Sequence, residues 1–156
     1  MAIGPTPGRL KRRSGVLLGV ALAAAACDRV EPAESLRLDT TEVTLAPGVA
    51  VHAVWIGGAG AVDSIRPARV DATVDDVLRF VAADHRTHAL MFRPESLSTE
   101  ALEFLERTAQ LRGPPLVSEG TSWVVSLEGA PPGRYPFFCR THDAEAVIMV
   151  DSARAR

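Results

Sequence analysis

Short runs of β-branched and aromatic residues recur from residue 49 to residue 151, each closed by glycine, proline or a polar turn. This punctuation most narrows the folds open to the chain. Residues 49–56 alternate and then meet Gly57-Gly58-Ala59-Gly60, which reads as a loop between strands. Residues 65–70, interrupted by Pro67, suit an edge strand, because proline cannot donate to a ladder. Residues 77–82 and 88–92 read as two strands joined by a polar connection in which Asp84 shapes the turn. Residues 122–127, 134–139 (after Pro131-Pro132-Gly133) and 146–151 complete the series. Strands this short, so spaced, predict an all-β sandwich or barrel. One helix interrupts them. Ser98 or Thr99 caps its start, with Glu100 and Glu103 near the positive end of the dipole. Ala101, Leu102, Leu105 and Ala109 share one core-facing side, and Gly113-Pro114-Pro115 stops the helix.

The first residues read as an export signal. Arg9, Lys11, Arg12 and Arg13 precede an apolar run over residues 15–26. That run falls short of the roughly 20 residues a spanning helix needs. It ends in Ala23-Ala24-Ala25-Ala26-Cys27, which resembles a bacterial lipobox and implies cleavage before Cys27 and lipidation there. Ala24 stands where that motif usually has leucine, so ordinary cleavage after residues 24–26 is the alternative. The expected division is a signal peptide over 1–26, a polar lipid-anchored tether over 27–45, one domain over 46–152 and a tail over 153–156. The expected location is the membrane surface, facing the periplasm or the cell exterior. Without residues 1–26 the chain carries 13 basic against 19 acidic groups, a formal charge of about −6. An acidic surface does not favour nucleic acid. No serine-histidine-acid order, P-loop or dinucleotide fingerprint occurs, so the chain does not read as an enzyme and no catalytic residue is assigned.

The chemistry concentrates in Tyr135-Pro136-Phe137-Phe138-Cys139-Arg140-Thr141-His142. A thiol and an imidazole three residues apart, at the end of an aromatic strand, can reach one metal ion. His88 is a third candidate, and two imidazoles with one thiolate suit copper in electron transfer. If lipid takes Cys27, Cys139 is left unpaired in an oxidising compartment, where the choice lies between metal ligation and a buried inert thiol. His85 reads as solvated, and His52, alternating with Ala50 and Val54, as structural or surface. Trp55 and Trp123 read as core.

Three pieces together resemble a cupredoxin, the plastocyanin and amicyanin type of blue-copper domain. They are Asp76-Val77-Leu78-Arg79-Phe80-Val81 through His88-Ala89-Leu90-Met91-Phe92, then Gly133-Arg134-Tyr135-Pro136-Phe137-Phe138-Cys139, then Cys139-Arg140-Thr141-His142 with its hydrophobic closing strand. The resemblance spans roughly residues 46–152. It implies a Greek-key β-sandwich with one short helical insertion, and a monomer. It also implies one type 1 copper ion held by His88, Cys139 and His142, which exchanges single electrons with a redox protein partner. Phe137 and Phe138 would then limit solvent access to the site. The chain departs from the family's usual pattern at the axial methionine. In an amicyanin-like loop Glu145 falls in that place, while Met149 belongs to the final strand. The axial position is then a carboxylate, a backbone carbonyl or empty. Two other roles share these features: a cupredoxin-fold binding or structural module without redox copper, and a copper storage or delivery protein.

Overall fold

The computed structural model describes residues 35–38, 41–59 and 62–152. The expected signal peptide, Cys27 and the tail lie outside the described residues. Among the described residues no helix is long and apolar enough to cross a membrane.

Among the described residues, ten strands, one α-helix and a 3₁₀ turn at Pro94–Ser96 follow in order. The strands are β1 (Ser35–Leu38), β2 (Thr41–Thr44), β3 (Val51–Ala59), β4 (Val62–Arg66), β5 (Arg69–Thr73), β6 (Val77–Ala82), β7 (Leu90–Phe92), β8 (Ser122–Ser126), β9 (Gly133–Cys139) and β10 (Glu145–Asp151). Helix α1 is Thr99–Arg107. Two four-stranded sheets, ordered β4-β3-β6-β8 and β5-β10-β9-β7, carry the core between them. Each contains one parallel pair, β3 with β6 and β10 with β5, and is otherwise antiparallel. The all-β sandwich with a single helix is the architecture expected from the strand pattern.

Pro67 does more than mark an edge. The expected strand over residues 65–70 is two strands, β4 and β5, at the edges of opposite sheets. Arg66 and Arg69 flank the crossing, so the residue that cannot donate stands where the chain leaves one ladder for the other. The glycine run also differs from expectation. Gly57 and Gly58 lie within β3 and pair with Ser64 and Asp63. The reason is crowding, since a Cβ on Gly57 would lie 3.0 Å from the Ala83 Cβ and 3.1 Å from an Asp84 oxygen. Within the stretch read as tether, β1 and β2 pair as their own hairpin, Ser35 opposite Thr44 and Leu38 opposite Thr41. Leu36, Leu38 and Val43 alternate with polar residues there, a period too brief to stand out.

Period-two alternation decides which side chains meet. Val54, Ile56, Leu78, Phe80, Trp123, Val125, Tyr135, Phe137, Ile148 and Val150 are buried between the sheets. Phe80 is central: its ring stacks on Trp123 at 5.0 Å and meets Phe137 edge-on at 5.1 Å and Phe92 at 6.5 Å. Trp55, expected in the core, is not there. It sits at an odd position of β3, opposite in face to Val54 and Ile56, and is 50% exposed. The Tyr135 hydroxyl donates to the Pro131 carbonyl at 2.6 Å, and burial pushes its pKa up to about 12.

The helix starts as expected, with Ser98 Oγ accepting from the Ala101 amide at 3.2 Å. It ends earlier. Ala109 lies past the end in the left-handed region, and Gly113-Pro114-Pro115 is not the stop. The side chain of Gln110 instead pairs with the backbone of Ser126 in β8, at 2.7 and 3.1 Å, and draws the chain onto the sheet. Phe104, outside the expected face, is buried with Ala101 and Leu105, whereas Ala109 is exposed. Gly113 packs so closely on Trp123 that a Cβ would lie 2.6 Å from the indole ring.

His52 is buried and structural. Its Nε2 lies 2.9 Å from Asp76 Oδ2, and Asp76 also accepts from the amides of Ala50 and Thr73. Burial works to raise the Asp76 carboxyl, but the bonds from His52, Thr73 and Ala50 outweigh it and hold the pKa below the usual carboxylate value. A carboxylate depressed on folding contributes stability above its unfolded pKa of about 3.9 and loses it as pH falls through the folded value. Asp76→Asn is therefore expected to lower stability by about 1–3 kcal/mol at neutral pH. In urea titrations repeated at several pH values, the gap from the parent chain should narrow below about pH 4.

Candidate metal centre

The two sheets bring three side chains able to ligate a metal to one end of the sandwich. His88 follows β6 and precedes β7, Cys139 ends β9, and His142 lies in the β9–β10 loop. Their donor atoms lie within 4.8 Å of one another. Cys139 Sγ is 3.9 Å from Nδ1 of His88 and 3.7 Å from Nδ1 of His142. The imidazole rings stand 5.0 Å apart at 58°. Cys139 and His88 are fully buried and His142 is half-buried, so the site meets solvent at His142 alone among the three.

The two sulfur–nitrogen distances fit a trigonal metal. Bonds of about 2.3 Å to thiolate and about 2.0 Å to imidazole, 120° apart, separate sulfur from nitrogen by about 3.7 Å. A borderline-soft His₂Cys set suits copper. The fit needs His88 to ligate through Nδ1, and its surroundings fix that tautomer. His88 Nε2 lies 2.8 Å from Asp84 Oδ1. An ionised carboxylate only accepts, so Nε2 carries the proton and Nδ1 presents its lone pair toward Cys139.

Asp84 is held ionised. Burial pushes its pKa up, but the Arg86 amide and guanidinium, the His88 ring and the Gly58 amide together bring it far below the usual carboxylate range. The backbone around the donors is equally tied. His88 exchanges amide–carbonyl bonds with Leu116 at 2.8 and 2.9 Å, so it sits in an isolated bridge just ahead of β7. The Arg140 amide donates to Ala89 and joins the ligand loop to the His88 segment. The loop closes on itself through Asp143 N–H to Cys139 O at 2.9 Å and Cys139 N–H to Ala144 O at 2.8 Å. Asp143 turns the chain with φ of 57°, a conformation aspartate tolerates better than most residues.

Of the expected site residues, His88, Cys139 and His142 come together and Glu145 does not. Glu145 points to the outer face of its sheet, where its carboxylate pairs with Arg93. The guanidinium of Arg93 also lies 4.4 Å over the ring of Phe138, which stands opposite Glu145 in the ladder. Phe138 therefore covers the outer face, and only Phe137 packs inward from that pair. Met149 lies in β10, as expected. His85 is exposed, with Nε2 3.4 Å from a Glu119 oxygen. Sequence reading placed Asp84 in the turn but missed its bond to His88. The four-residue spacing from Asp84 to His88 was the available signal, and an irregular connection gives such a spacing no fixed geometry.

No family model and no curated protein matches the chain. Solved structures similar to it include an oxidized amicyanin mutant at 16% identity and TM-score 0.48, covering 69% of this chain and 86% of that one. A Cu(I) amicyanin mutant matches at 17% identity and TM-score 0.48, over 77% of this chain and 95% of the other. A purple cupredoxin from Nitrosopumilus maritimus matches at 14% identity and TM-score 0.47, over 64% and 99%.

Proposed function

We propose that this chain is an exported, lipid-anchored protein that binds one copper ion through His88, Cys139 and His142 and passes single electrons to a redox partner. The observation that carries the copper reading is the meeting of one sulfur and two imidazole nitrogens within 4.8 Å of one another. A copper ion held there supplies a one-electron couple. The protein's share is to keep the donors still: His88 is clamped by Leu116 and Asp84, and Cys139 by Ala144. Rigid donors need little rearrangement between oxidation states. The half-buried His142 is the edge at which a partner would approach. The lipobox-like end at Cys27 supports the anchor, and the acidic balance supports a protein partner over nucleic acid.

The test is an absorption spectrum after one equivalent of Cu(II) is added to the chain. An intense thiolate-to-copper band is expected, and Cys139→Ser should abolish it. A colourless protein that binds no copper would sink the reading.

A further inference from the structure

Glu145 does not take the place that loop spacing suggests for it. In the β9–β10 ladder the last pair is Glu145 opposite Phe138, and just beyond it Ala144 lies across from Cys139, joined by the Cys139 N–H to Ala144 O bond of 2.8 Å, with Asp143 N–H donating back to Cys139 O. Residues directly opposite in an antiparallel pair share a face, with Cβ atoms about 4.5–5.5 Å apart. Cys139 faces the interior and is fully buried. Ala144 and Ala146 also pack against the core, whereas Glu145 between them is 59% exposed and paired with Arg93. Moving Glu145 inward would flip every side chain of β10, exposing Ile148 and Val150, which are buried.

Resting on the copper reading above, we infer that Ala144 lies against one face of the donor triangle, so that the metal has three protein side-chain donors and a methyl group beside them. Glu145 is an outer-face residue held by Arg93 and Phe138. This determines the chemistry of the centre. The axial ligand tunes the potential of a His₂Cys copper site, and a hydrocarbon in place of a carboxylate withdraws the oxygen donor that would favour Cu(II).

The experiment compares Cu(II) spectra and copper titrations of the full chain with those of Glu145→Gln and Ala144→Met. Glu145→Gln lies on the surface and should leave the band position unchanged and the affinity within about twofold of the parent, since an exposed ion pair contributes little. Ala144→Met brings a thioether to that face and should shift the band. A band shifted by Glu145→Gln would put the carboxylate on the metal and overturn the assignment, as would a band unmoved by Ala144→Met. A parent chain with no thiolate band is a different result: it removes the copper reading, and this assignment with it.

Discussion

Asp84→Ala is expected to weaken copper binding by about 10–100-fold, the usual effect of removing a partner that orients a metal-bound imidazole. The carboxylate accepts from His88 Nε2 at 2.8 Å and from the Arg86 amide, the Arg86 guanidinium and the Gly58 amide. Without it the buried His88 ring loses the contact that selects its Nε2–H tautomer, and part of the population presents N–H instead of a lone pair to the metal. Asp84→Asn should lie between the two, because its amide oxygen can still accept from Nε2 while its NH₂ opposes Arg86. Copper titrations monitored by absorption would measure the series. Equal affinity in all three proteins would show that tautomer selection does not depend on Asp84.

Phe80→Ala is expected to lower stability by about 3–5 kcal/mol. Phe80 has no exposed surface and touches aromatic rings from three other strands, Phe92 on β7, Trp123 on β8 and Phe137 on β9. The cavity would open between the sheets, where the ladders on both sides restrain collapse, so the upper part of that range applies. Urea denaturation checks the value, and a loss under about 1 kcal/mol would mean that the neighbouring rings close the space. Because Phe137 lies two residues before Cys139, the variant should also loosen the donor geometry and weaken copper binding.

Much of the fold was legible because its signals are local. The runs over 77–82, 122–127 and 134–139 each carry the residues of one strand, and hairpin or crossover lengths limit how they join. The helix start was legible for the same reason, since a cap and an amphipathic face lie within a few residues. Its end was not. Gln110 leaves the helix to pair with Ser126, a contact across 16 positions that no local window contains. Trp55 was misplaced because a strand shows two faces and composition cannot say which one meets the second sheet.

The candidate donors can be read from the chain alone: a thiol and an imidazole three residues apart after an aromatic strand, and a second imidazole before another. Residue type and short spacing suffice for that, because donor chemistry belongs to the side chain. Which further groups surround those donors follows from packing between the sheets. Whether Ala144 or Glu145 faces the site depends on a one-residue register between β9 and β10, and in a strand one residue separates interior from solvent. The role of Asp84 likewise depends on a connection that leaves one sheet and enters the other, where distance along the chain no longer measures distance in space.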